Sequence, residues 1–321
     1  MSNPGFWFRS PQLANRNLFG LKAKNIEEAL ALSDDQIDLA TAVLLLSQVA
    51  SWNLYHLTLN LESYRNRIDE MVQVLIKKIG KVKDPLKSIE TINHYLFQEL
   101  GFETAEEEED PKVFFLNLVL DEKKGNGLGL SILNLVLAER IGIPLFGVYQ
   151  RRLFAVFKDF THLSDPQPQK RRMPRYILVK PDLFYVRYDD GQKPINFDPA
   201  QKGMILNEEY NCRVFKNDYL KNQAYLKNLG KKETLGIFLV QRGAVYWEKE
   251  LYDHAVADCN LALAINPRDD RAYFIRGASY HDKDLFDHAV ADFTSAVELN
   301  PRYPEAFHYR GIAYANQGLF D

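Results

Sequence analysis

A self-similarity with a period of 34 residues, near the C-terminal end, constrains this chain more than any other feature. Aligning LVQRGAVYWEKELYDHAVADCNLALAINP with YFIRGASYHDKDLFDHAVADFTSAVELNP and FHYRGIAYANQGLFD puts Gly243, Gly277 and Gly311 in one column. Tyr246, Tyr280 and Tyr314 fall in a second, Ala255 lies above Ala289, and Pro267 above Pro301. A unit this short cannot bury its own apolar face, so successive copies must stack and share a continuous core. The glycine column lets the paired helices of a unit approach closely, the tyrosines and Phe293 fill the groove between them, and the proline ends each unit. Arg242, Arg276 and Arg310 form a further column beside the glycines, for which a structural role is expected.

The period and its small, aromatic and proline pattern resemble the tetratricopeptide repeat. The resemblance implies an all-α solenoid over 236–321, with units at 236–269 and 270–303 and a partial one at 304–321. It also implies a concave face, lined by the first helix of each unit, that holds an extended segment of a protein or peptide ligand. On that face it places Val240, Ala244 and Trp247, then Phe274, Ala278 and His281, then His308 and Asn316. The members that clamp acidic tails carry Lys and Asn where Val240 and Ala244 stand, so that specificity is not expected. The third unit ends at Asp321 after one helix. Phe307, Ile312 and Tyr314 are therefore expected to be covered by a longer natural chain or by self-association through the open C-terminal repeat.

The rest of the chain is bounded first by charge and cysteine. A formal net charge of -3 supplies no single-sign field for a nucleic-acid backbone or an anionic membrane, so neither is an expected partner. The two cysteines, Cys212 and Cys259, lie in separate regions, which fits a reducing compartment and offers no metal-binding cluster. The N-terminus lacks the basic start and apolar core of a signal peptide, and the run Ala40 to Leu46 falls far short of a membrane span. These observations lead to the expectation of a cytoplasmic protein.

Residues 1–110 read as helical. Ser33 with Gln36 forms a capping-box pair ahead of Ile37, Ala40, Val43, Leu44 and Ala50 at helical spacing. Leu61 to Lys78 carries a second stripe, and a third helix begins after Pro85 and stops at Gly101. His56 and His94 are expected as core histidines satisfying polar contacts. Five consecutive acidic residues, Glu106 to Asp110, read as a solvated loop. Residues 111–204 mix helix and strand: an apolar helix over Val113 to Leu120, a glycine-rich GNGLG opening a helix that stops near Gly142, then a strand in IPLFGVY. Leu153 to Phe157, Tyr176 to Lys180, Phe184 to Tyr188 and Pro194 to Phe197 continue the strands. GNGLG has neither dinucleotide-binding nor P-loop spacing, so close backbone packing is its expected use and no cofactor is implied. Residues 205–235 read as a polar helical connector.

Within this region FFLNLVLDEKKGNGLGLSILNLVLAERIGIPLFGVY and PDLFYVRYDDGQKPINFDP resemble the SirB-type branch of the transglutaminase-like family. The resemblance covers roughly 30–200 and implies an α+β, papain-like domain behind N-terminal helices, with repeats following. Catalysis in that family needs a thiolate at a helix start, a histidine on a strand to take its proton, and an Asp or Asn to orient the histidine. The alignment puts Gly127 at the nucleophile position and Leu183, or in a second register Leu153, at the histidine position. The orienting position falls on Asn196 or Asp198. Two substitutes are conceivable on sequence alone: Ser131 with His162 and Asp165 or Asp198, and a relocated nucleophile at Cys212. The expectation is a degenerate transglutaminase-like domain joined to repeats and acting as an interaction scaffold. The alternatives are a hydrolase or acyltransferase with its nucleophile elsewhere, and a sensor that binds a ligand in the cleft.

Overall fold

The computed structural model describes residues 20–80, 84–105, 111–150, 183–191, 194–206 and 227–318. The acidic run Glu106 to Asp110, the strands expected at Leu153 to Phe157 and Tyr176 to Lys180, His162, Asp165, Cys212 and most of the connector lie outside them. The described residues divide into two compact units, one ending at Lys231 and the other running from Lys232 onward.

The first unit is built on α2 (Leu39–Tyr55), α3 (Leu61–Ile79), α4 (Pro85–His94), α5 (Leu116–Glu122) and α6 (Gly127–Ile141), after a short α1 (Ile26–Ala31). The capping box of Ser33 and Gln36 forms, but it closes a 3-10 turn, Asp34–Gln36. The long helix starts later, where the Asp38 carboxylate accepts hydrogen bonds from the Thr41 backbone N–H at 2.8 Å and hydroxyl at 2.6 Å. Ile68, Met71, Val72 and Leu75 of α3 are buried, as their spacing requires. The third helix runs through α4 into a π turn at Tyr95–Glu99 and ends at Gly101, which has a left-handed φ of 73°.

The α6 helix is the axis of the unit. Leu130, Ile132, Leu133, Val136, Leu137 and Ala138 are fully buried around its circumference, which requires protein on every side. α2, α3 and α5 pack on it, as does a four-stranded antiparallel sheet in the order β3 (Leu145–Gln150), β4 (Leu183–Tyr188), β5 (Ile195–Asp198), β6 (Met204–Leu206). The register pairs Val148 with Tyr185, and Val186 with Phe197. A two-residue parallel pair, β1 (Glu103–Thr104) with β2 (Lys124–Gly125), ties the loop before α5 to the turn after it. Neither this pair nor β6 is foreseen from the sequence. α6 ends on Gly142, whose φ of 86° is the left-handed conformation that favours glycine as a helix stop.

Charged residues lock the C-terminal end of α6 to the start of α2. The Arg140 guanidinium donates to both Asp38 carboxylate oxygens, at 3.1 and 3.2 Å, and to Asp69. Glu139 accepts from the Leu39 backbone N–H at 3.1 Å and from the Lys231 ammonium. Burial pushes the Glu139 carboxyl above its ordinary range, and the Lys231 charge opposes that shift.

The second unit consists of antiparallel helices: α7 (Lys231–Glu248, whose first residue belongs to the first unit), α8 (Tyr252–Ile265), α9 (Asp270–Asp282), α10 (Phe286–Leu299) and α11 (Pro304–Asn316). α7 with α8 forms one repeat, α9 with α10 the next, and α11 is the first helix of a third. A Cβ on Gly243 would sit 3.2 Å from the Cys259 sulfur, and one on Gly277 would sit 3.1 Å from the Asp292 Cβ, so the glycine column does mark close helix approach. Tyr246 and Phe293 are buried between helices, as expected.

Candidate functional site

In the first unit the positions singled out by sequence sit around the N-terminal end of α6. Asn126 caps the helix, its side-chain oxygen accepting from the Gly129 N–H at 3.0 Å. Gly127 is the first helical residue. A Cβ there would lie 3.5 Å from the Phe184 carbonyl oxygen and 3.9 Å from the Ala200 Cβ, so the helix start faces the beginning of β4 and the turn after β5. Leu183 opens β4, paired with Gln150 of β3. Asn196 and Asp198 lie on β5 beside it. The helix start, the strand start and the neighbouring strand are thus adjacent, while Leu153, His162 and Asp165 lie outside the described residues.

The side chains at the orienting positions are engaged locally. Asn196 accepts from the Arg187 Nε at 2.7 Å. Buried Asp198 caps the 3-10 turn Pro199–Gln201, accepting from the Ala200 N–H at 2.9 Å and from the Gln201 amide at 2.8 Å. Ser131 is buried one turn into α6 and donates to the Phe184 carbonyl oxygen at 3.3 Å, so its hydroxyl ties helix to strand. His56 and His94 are exposed at helix ends, a correction to the core placement expected of them: His56 caps α2 in a left-handed conformation, and His94 lies 3.7 Å from Glu99. The glycine-rich stretch packs closely, as expected, but at Gly129, where a Cβ would meet the Val113 carbonyl oxygen at 2.6 Å. Among the described residues no group of three or more His, Cys, Asp or Glu side chains is placed to hold a metal ion, and no helix is long and apolar enough to cross a membrane.

In the second unit the first helices of the three repeats are joined by a polar chain. The Trp247 indole N–H donates to Asp282 at 3.0 Å. The other Asp282 oxygen lies 3.2 Å from His281 Nδ1, and His281 Nε2 lies 2.8 Å from the Asn316 amide nitrogen. His281 thus stands between a carboxylate and an amide, in contact through both ring nitrogens. Phe274 packs against Phe293, Tyr303 and Tyr309 with ring centroids 5.0–5.7 Å apart. Val240, Trp247, Phe274 and His281 are all buried, so their side chains serve the array, whereas His308 and Asn316 are exposed. Sequence reasoning places these residues on one helix face but cannot see that neighbouring repeats consume most of them.

Two members of the arginine column, Arg242 and Arg276, are structural, as expected. Arg242 makes a bidentate contact with Asp258 at 2.7 and 2.6 Å, and Arg276 repeats it with Asp292 at 2.8 and 2.7 Å.

Comparison with known proteins agrees with both units. Residues 62–154 match the family model for the transglutaminase-like superfamily. Residues 238–269 and 270–303 each match the tetratricopeptide repeat. The chain carries a transglutaminase-like domain followed by tetratricopeptide repeats. The first match begins inside α3. UPF0162 proteins from two strains of Xylella fastidiosa are each 34% identical to this chain over 87 residues, 26% of this chain and 31% of theirs. The match thus spans about a third of the relatives' length. No solved structure matches the chain.

Proposed function

We propose that this protein is a noncatalytic member of the SirB-type branch, an interaction scaffold in which a degenerate transglutaminase-like core is joined to a tetratricopeptide array that holds a protein or peptide ligand. The observation that carries the reading is the start of α6. The residue aligned with the nucleophile is Gly127, which has room for a side chain and supplies none. The residue aligned with the base is Leu183, and the candidates for the orienting role, Asn196 and Asp198, hold their own strand and turn. Ser131 is buried with its hydroxyl on the Phe184 carbonyl, which supports a packing role for it. The loss of several members of such a unit removes catalysis far more thoroughly than it removes a fold.

For the repeats, the ligand site we propose is the face lined by the first helices, with exposed His308 and Asn316 as contact residues. Val240, Trp247, Phe274 and His281 form its floor. A cytoplasmic setting, with neither nucleic acid nor membrane as partner, fits the charge and the cysteine count. Affinity capture with the full chain as bait, repeated with His308→Ala and Asn316→Ala, tests the site. Loss of one reproducible partner in the variants, with helical content unchanged, supports it. Equal capture by both proteins counts against this face. The alternative, a hydrolase or acyltransferase with a misplaced nucleophile, requires a reactive side chain within hydrogen-bond reach of a base near Gly127.

A further inference from the structure

Four consecutive residues at the end of the first unit, Asn228 to Lys231, are pinned to it by three kinds of contact. The Asn228 side chain joins β4 to the loop after it, its oxygen accepting from the Arg187 guanidinium at 3.4 Å and its amide donating to Asp189 at 2.7 Å. The Leu229 N–H donates to the Gly147 carbonyl oxygen at 2.9 Å, an antiparallel bridge on the side of β3 away from β4. Gly230 lies against Asp34, where a Cβ would sit 2.9 Å from a carboxylate oxygen. Lys231 donates its backbone N–H to that same oxygen at 2.9 Å, and its ammonium to the Ile37 carbonyl oxygen at 2.6 Å and to Glu139.

Two of these contacts do more than hold a chain in place. Lys231 is the first residue of α7, so its N–H is one of the donors a helix cannot satisfy internally. The carboxylate that takes it lies 197 residues earlier in the sequence. Leu229 in turn covers part of a sheet edge, and an uncovered edge is a template for pairing with another strand.

The ammonium is the strongest of the fastenings. Its side chain and that of Glu139 are 26% and 23% exposed, so both charges are largely withdrawn from water. Burial raises the Glu139 carboxyl, Lys231 is the charge that opposes this, and the Asp38 charge adds to it. Removing the lysine charge therefore leaves a buried carboxylate beside a second one, with only the Leu39 N–H to hold it. The fastenings fall on successive residues, so the chain between them has no slack and the loss of one loosens the next.

We propose that residues 228–231 form a latch, locked by the Lys231 ammonium, that opens in one step, baring the outer edge of β3 and uncapping α7 while the rest of the first unit stays folded. The latch lies within the first unit and does not depend on any ligand of the repeats.

Native-state hydrogen exchange of the full chain, followed by NMR across low urea concentrations, tests it. The Leu229 and Lys231 amides should show one common protection factor, with a shallow urea dependence, because a local opening exposes little surface. Amides of α6 should show the steep dependence of global unfolding. Lys231→Met should speed exchange at Leu229, two residues away, by about tenfold or more, the loss expected for a hydrogen bond to a charged group. Combining it with Glu139→Gln removes both charges and should return the rate to within about threefold of the natural protein. Asn228→Ala, at the other end, should speed exchange at Leu229 and at position 231 by the same factor. A steep urea dependence at Leu229, or an Asn228→Ala effect that stops short of position 231, would overturn the proposal. So would a Lys231→Met variant whose Leu229 exchange is unchanged.

Discussion

The glycine-rich entry to α6 supplies a sharp test, because two glycines two residues apart face different surroundings. At Gly129 a Cβ would be 2.6 Å from the Val113 carbonyl oxygen, 2.9 Å from the Phe114 Cα and 3.0 Å from a Val119 methyl. Two of those atoms belong to the backbone of a buried turn, so the neighbours can yield only by moving the turn. Overpacking of this kind costs about 1–3 kcal/mol. Against it stands a gain of about 0.5–1 kcal/mol from replacing glycine in a helix. Gly129→Ala should therefore destabilise the unit by up to about 2.5 kcal/mol net, a fall of up to about 10 °C in melting temperature for a domain of this size. At Gly127 the nearest atom is 3.5 Å away, an ordinary contact. Gly127→Ala should be neutral or stabilising by up to about 1 kcal/mol. Hydrogen-exchange mass spectrometry of α6 peptides across a urea series reads this unit separately from the repeats. Equal destabilisation by the two variants would refute the reasoning, and with it the inference that position 127 has room for a nucleophile it lacks.

Other outcomes follow from the repeats. Asp258→Ala breaks a pair whose side chains are 4% and 5% exposed and should cost about 3–5 kcal/mol. Asp292→Ala breaks a pair at 20% and 8% and should cost less, about 1–3 kcal/mol; equal losses in urea titrations would show that burial does not set the difference. The Cys259 thiol is held well above its ordinary pKa, by burial first and then by the Asp258 charge. Iodoacetamide at neutral pH should leave it unlabelled in the native protein and label it in urea, and native labelling detected by peptide mass spectrometry would show that the repeat opens readily.

Legibility differed between the two units for physical reasons. A repeated period is over-determined: Gly243, Gly277, the tyrosines and the arginine column each announce a contact that recurs, so architecture and packing roles could both be read in advance. The groove residues could not, because whether Trp247 or His281 faces a ligand or a neighbour depends on partners 35 residues away, such as Asp282 for Trp247 and Asn316 for His281. In the first unit helical stripes were clear where one face is buried, as in α3, and the Gly142 stop followed from its left-handed φ. The start of α2 was misplaced because the Ser33 and Gln36 box is genuine but serves a 3-10 turn, while the effective cap is Asp38. Short strands such as β6 carry too few residues to show a period. The structural use of Asp198 as a turn cap has a weak sequence signal in the following proline, which is common at the first position of a helical turn.

The central claim is that the transglutaminase-like core performs no chemistry, and the most direct measurement is turnover by the full natural chain. Release of ammonia from a glutamine-donor peptide and hydrolysis of thioester and amide substrates should match the buffer blank. The Gly127→Cys, Leu183→His double variant should fold and serves as the comparison for a restored thiol. Robust activity in the natural protein, abolished by a single substitution within 62–154 or 183–206, would contradict the account and assign the core to an enzyme.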